Sequence, residues 1–169
     1  MNAELLVLRF IHVVGAIFWV GTVIFNAFFL LPVLKESGPA AAQVMIGLQR
    51  RKMLVWLPVV AILTMLAGLR LMMIASNNFS PDYFQTNSGR GFALGGILAI
   101  VGFMVGMIVA RPSMSRAGDL QSIAVSDEIN RDKIKQQIAA LQKRAAMSSK
   151  VTTWLLVAAG ILMAISRYL

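Results

Sequence analysis

A four-span, all-helical membrane bundle is the fold this sequence predicts, and three observations predict it. Of its 169 residues 58% are hydrophobic, above the roughly 45 to 50% apolar content of soluble domains. Four apolar runs, at about 5–34, 53–75, 91–110 and 151–169, are of the length needed to cross the bilayer, about 20 residues for roughly 30 Å of hydrocarbon. The basic residues gather between these runs, where they act as topology signals. The expected fold is one domain over residues 1–169, a four-helix transmembrane bundle with a cytoplasmic amphipathic helical segment at 111–150.

Composition narrows the function classes. With no cysteine, disulfides, iron–sulfur clusters and thiolate metal sites are excluded. The formal charge of +9 implies no nucleic-acid partner, because the bases flank apolar spans. Walker, dinucleotide-binding, Gly-x-Ser-x-Gly and zinc signatures are absent. The lone histidine, His12, has no carboxylate in any span to form a hydrolytic triad.

The first span, Leu5 to Leu34, is 30 residues carrying one formal charge, Arg9. Met1 to Glu4 holds an acid and no base, and the apolar run is too long for a signal peptide, so the span is expected in the mature protein. Leu31-Pro32 biases the backbone away from helix and Gly38-Pro39 marks a turn, so the hairpin is placed there. Residues 39–52 then run into the second span, Met53 to Ala75, with a kink at Pro58 and a small-residue strip at Thr64 and Gly68. Ser76 to Arg90 reads as an exposed loop. The third span starts at Gly91, and Gly91, Gly95, Gly96, Gly102 and Gly106 predict close approach of a neighbouring backbone. No repeat is visible between the two hairpins.

Residues 111–150 form the one sizeable polar segment. Asp127 and Glu128 after Ser126 predict a helix N-terminus, and Ile134, Ile138, Leu141 and Ala145 recur at spacings of four, three and four, predicting an amphipathic helix that leads into the fourth span. Ser113 to Ala124 is expected as a shorter helix packed back on it. The connections 35–52 and 111–150 carry four and eight of the sixteen Lys and Arg. The positive-inside rule therefore places both termini and the 76–90 loop outside.

The candidate site follows from this topology. His12, Trp19 and Asn26 are seven apart and share one helical face with Arg9 and Ala16, drifting only about 20° per step. Intramembrane ionisable groups are functional candidates. The alternative is structural, with His12 on a neighbouring helix's carbonyl, Trp19 in the core and Asn26 in a helix–helix hydrogen bond. His12 lies about 10 Å into its span at 1.5 Å per residue. Arg9, Arg70 and Arg167 fall at the same end, with Met72, Met73 and Met163 in the same layer. Imidazole with thioether suits haem iron, with arginines for the propionates, or monovalent copper.

Arg9-x-x-His12 followed by Phe18-Trp19-x-Gly21 resembles the opening helix of the copper resistance protein D family, and Thr64-Met-Leu-Ala-Gly68-Leu with the basic segment before the last span fits the same layout. A more distant similarity is to the bacterial four-helix protoporphyrinogen oxidase, whose first-helix histidine binds haem. The oxidase also relies on a lysine, and none of the four spans has one. The resemblance implies a bacterial inner-membrane protein with His12 as ligand and Trp19 as its neighbour. The expectation is a copper-handling or haem b-binding protein, with His12, Arg9, Trp19, Arg70 and Arg167 at the cofactor and His12, Met72 and Met163 as metal ligands. The competing expectation is a cofactor-free accessory subunit of a larger membrane complex. Partners are then the lipid bilayer and either further copies of the chain or that complex. A homodimeric transporter is less favoured, since no span holds an Asp, Glu or Lys.

Overall fold

The computed structural model describes residues 3–37, 40–126 and 130–168, and their regular structure is entirely helical. Four rods, Ala3–Glu36, Met53–Ala75, Asn87–Leu120 and Asp132–Tyr168, are long and apolar enough to cross a membrane.

The first rod joins α1 (Ala3–Phe25), a π-helical turn Asn26–Leu30 and α2 (Leu31–Glu36). The sequence expectation of a break at Leu31-Pro32 is corrected here. Proline lacks an N–H and its ring crowds the preceding turn. The wide turn absorbs both effects: the Leu31 N–H donates to the Asn26 carbonyl, five residues back, a local adjustment by which apolar spans tolerate proline. The expected turn at Gly38-Pro39 lies outside the described residues.

A separate helix, α3 (Ala40–Arg50), precedes the second span. It does not run straight into that span, because Lys52 is left-handed (φ 56°) and breaks the axis. α4 (Met53–Ala75) then continues through Pro58.

The expected loop after α4 has more order than its composition suggests. Asn77, Asn78 and Phe79 are successively left-handed, with φ of 50, 61 and 62°, and the buried Ser76 hydroxyl accepts from the Phe79 N–H at 2.8 Å. Asparagine tolerates this region and phenylalanine does so rarely. A short α5 (Pro81–Gln85) follows. Thr86 then caps the third span, its hydroxyl accepting from the Gly89 N–H at 3.0 Å, the usual way a helix start finds a partner for an orphan donor. The third span therefore begins at Asn87, four residues before the expected Gly91.

That span, α6 (Asn87–Val105), also ends in a π turn, Gly106–Ala110, again with a proline two residues on, before α7 (Arg111–Ser126). Spans one and three thus share a device that no sequence repeat displays. The amphipathic segment and the fourth span are one 35-residue helix, α8 (Arg131–Ile165), about 52 Å long at 1.5 Å per residue. α7 packs back on its first half, as expected, with Ala117, Ile134 and Ile138 buried beside Leu120 and Leu141. Asp127 and Glu128 lie outside the described residues.

The four long helices form a ring in which α1 and α6 each pack on both α4 and α8. Small residues set the spacing. A Cβ at Gly95 would come 2.9 Å from Met163 Cγ and 3.2 Å from the Ala159 carbonyl oxygen, and Gly91 abuts Ser166. The Thr152 hydroxyl donates to the Gly102 carbonyl at 3.3 Å. The core of the ring is Trp19, Ala61 and Leu156. Large apolar side chains point outward on every side, including Phe10, Ile17, Ile108 and Trp154. A water-exposed monomer rarely shows so continuous an apolar surface, which fits lipid as the surrounding solvent.

Candidate functional site

His12 sits where α1 crosses α4. Its Nδ1 is 2.9 Å from the backbone oxygen of Thr64. A carbonyl only accepts, so Nδ1 carries the proton and donates, and Nε2 is the ring nitrogen left to accept or to ligate. Two features of α4 make this possible. Thr64 spends its own hydroxyl on the Val60 carbonyl at 2.8 Å, and Gly68, one turn on, has no side chain. A Cβ there would lie 2.6 Å from His12 Cε1 and 2.8 Å from Nδ1. On the other side Gly15 receives the Thr64 hydroxyl. His12/Gly68 and Gly15/Thr64 are thus two knob-and-gap pairs, and the expected Thr64–Gly68 strip is the face α1 rests on.

Trp19, two turns further along the same face, is 5% exposed. It packs on Ala61 and Leu156 and meets Phe103 edge-on, centroids 6.0 Å apart at 82°, an arrangement aromatic pairs favour. It is the central packing residue of the bundle. Asn26, the third residue of the stripe, is half-buried and makes no side-chain hydrogen bond among the described residues. It faces a cavity of about 200 Å³ on the far side of Trp19 from His12.

The other expected site residues divide by location. Arg70 is half-exposed and committed to Glu4, with Nε donating to Oε1 at 2.8 Å and a second nitrogen 2.7 Å from the same oxygen. Its remaining nitrogen reaches the Met73 sulfur at 3.6 Å. This pair ties the start of α1 to the end of α4. Arg9 and Arg167 are exposed, without a hydrogen bond or ion pair among the described residues. Met163 packs on Gly95 from α8, and the Met72 methyl lies 3.8 Å from where a Gly96 Cβ would be. The two thioethers therefore meet α6 at adjacent glycines, and no hydrogen bond among the described residues joins either of them to His12.

An imidazole whose Nδ1–H is held by a backbone carbonyl is oriented as metal-ligating histidines usually are. His12 Nε2 is therefore the ring atom that could hold a group needing one protein nitrogen. Among the described residues no three His, Cys, Asp or Glu side chains come together as a metal-binding cluster. Sequence reasoning offered a neighbouring helix's carbonyl for His12 and a small-residue strip at Thr64 and Gly68, but not that the carbonyl is Thr64's or that the imidazole fills the gap at Gly68, since both depend on the register between helices. It also missed the cavity, although two X-Pro pairs inside long apolar helices were a usable signal. Compared with protein-family models, curated proteins and solved structures, the chain matches none.

Proposed function

We propose that the chain is a multi-pass protein of a bacterial inner membrane that holds one ligand through His12 Nε2 near the outer face, haem b or copper, in the manner of the copper resistance protein D family it resembles. The observation that carries this reading is the Nδ1–H bond to Thr64 beside the bare Gly68, which fixes the imidazole and leaves one nitrogen for a ligand. Haem b is the better match to a single imidazole, with the exposed Arg9 and Arg167 suited to its propionates. Copper would draw on Met72 and Met163 as soft donors. By the charge count, the end carrying Ala3, α5 and Tyr168 is outside and the α7–α8 extension is cytoplasmic.

Absorption spectra and metal analysis of the purified protein test this. A Soret band or stoichiometric copper that disappears in His12→Ala is expected. Arg9→Gln should weaken the binding by about 1.5 to 3 kcal/mol, the scale of a charged hydrogen bond, whereas Arg70, already engaged with Glu4, should contribute less. Neither signal in the wild type, or signals unchanged in His12→Ala, would refute it.

A second reading has its own observation. His12 fills the Gly68 gap and Trp19 is core, so both have packing roles that need no ligand. That favours a cofactor-free accessory subunit. Native mass analysis after gentle extraction separates the two: a heavier complex without cofactor supports the accessory subunit, and a protomer or homo-oligomer with bound cofactor supports the first.

A further inference from the structure

The cavity on the other side of Trp19 has no part in the His12 reading and rests only on the four helices spanning a membrane. We propose that it takes an acyl chain of an anionic phospholipid, drawn from the leaflet at the α7–α8 end, with the headgroup held at Arg111.

Three observations converge on it. First, two of the four long helices depart from regular α geometry at residues lining this space, in the π turns Asn26–Leu30 and Gly106–Ala110, and a third carries Pro58 there, which has no N–H to give the Leu54 carbonyl. Wide turns of this kind recur at functional sites, and here they hold the rods apart below the Trp19 core. Second, the space is about 200 Å³ and its lining is mostly apolar. A dry apolar cavity of roughly 150 Å³ already admits a benzene-sized ligand. Third, its charge is of one sign. Asn26, Gln49 and Arg111 line it and make no side-chain hydrogen bond among the described residues, Ser149 and Thr152 line it too, with Thr152 donating to the Gly102 carbonyl, and no Asp, Glu or Lys is among the lining residues described. Arg111, the one charge, is the first charged residue after the apolar stretch of the third rod and so lies at headgroup depth.

Charge favours the anionic lipid over the zwitterionic one. Residues 31–52 and 111–120 carry six bases, Lys35, Arg50, Arg51, Lys52, Arg111 and Arg116, against the two acids Glu36 and Asp119. Each base near a membrane surface adds about 1 kcal/mol of attraction to anionic headgroups.

Trp19 lines the cavity and is 5% exposed, whereas Trp56 and Trp154 are 59% and 63% exposed. Trp56→Phe/Trp154→Phe therefore leaves one fluorophore that bulk lipid does not touch. In nanodiscs, phosphatidylglycerol with brominated chains should quench Trp19 saturably, and brominated phosphatidylcholine at the same mole fraction should not. Arg111→Gln should cut that preference roughly fivefold, the worth of one base at an anionic surface. Ala110→Phe, filling the space, should abolish quenching. Equal quenching by both lipids, no quenching, quenching by a brominated free fatty acid alone, or a preference unchanged in Arg111→Gln would overturn the proposal. Quenching of the wild type through Trp56 and Trp154 reports insertion itself, so its absence would instead remove the membrane reading on which the proposal stands.

Discussion

Gly68→Ala isolates the His12 contact. The added methyl would come 2.6 Å from Cε1 and 2.8 Å from Nδ1, well inside van der Waals contact, and α4 cannot yield because Ala61, Thr64 and Ala67 on the same face are already buried. The imidazole must therefore swing away and lose its bond to the Thr64 carbonyl. A helix–helix hydrogen bond in a membrane protein is worth about 0.6 kcal/mol on average and up to about 1.7. Overpacking typically costs about 1 to 3 kcal/mol. Together they predict a loss of about 2 to 4 kcal/mol. With about 2 to 4 °C per kcal/mol at this chain length, the midpoint should fall by about 4 to 16 °C. The assay is thermal unfolding in detergent, followed by loss of the monodisperse peak, on four proteins: wild type, Gly68→Ala, His12→Ala and the double variant. His12→Ala removes the object of the clash, so adding Gly68→Ala to it should cost little. The cycle should show a coupling close to the whole Gly68→Ala loss, about 2 to 4 kcal/mol. A harmless Gly68→Ala, or two additive losses, would mean that the imidazole does not occupy this gap.

Two further outcomes are expected. Glu4→Gln should lower stability by no more than about 1 kcal/mol, because both side chains of the Glu4–Arg70 pair are 44% exposed and exposed pairs contribute little; a larger loss in the same unfolding assay would show that the pair is a structural clamp. Single cysteines at Asn87 and Gln142, both exposed, should react with an impermeant maleimide from opposite sides of the membrane, and reaction from one side would refute the orientation. Ser148, in the same basic segment, is unsuited to that labelling because it is 7% exposed and donates to the Ala145 carbonyl.

The long rods were legible because a bilayer-crossing helix must satisfy its backbone within itself, so an apolar run of sufficient length has few alternatives. The glycines of the third span were legible for a similar reason: Gly95 and Gly102 do receive α8, Gly91 meets Ser166 in the turn just after it, and Gly96 turns to Met72 of α4. Helix ends were less legible. Thr86 moved one start forward by a cap, and Lys52 broke what composition showed as continuous. Pro32 was misleading in the opposite direction, since proline stops a helix in water more readily than in a span where a π turn can accommodate it. The stripe His12, Trp19, Asn26 was visible from spacing alone, but its three environments were not. Whether a histidine meets a carbonyl or a cavity depends on which turn of α4 lies opposite, and that is fixed by Gly15 and Gly68 fitting Thr64 and His12.

The stripe also explains why the cavity lies where it does. Continued at intervals of seven, it would next place Val33 inward, yet Val33 is 57% exposed and its neighbour Leu34 is half-buried. The π turn between Asn26 and Leu30 contains the extra residue that moves the inward face along by one, about 100° of helix rotation at 3.6 residues per turn. Up to Trp19 the face of α1 is in register with the small residues of α4 and the rods close on each other. Beyond Asn26 it is out of register, so the side chains that would interdigitate no longer do, and the third span makes the same change at Gly106. Trp19 stands at the boundary between the two regimes, large enough to close the ring for His12 on one side and to wall the open space on the other. The accommodation of two prolines and the opening of a ligand-sized space are therefore one structural event, and a substitution that restored α geometry at either π turn would be felt in the cavity before it was felt at His12.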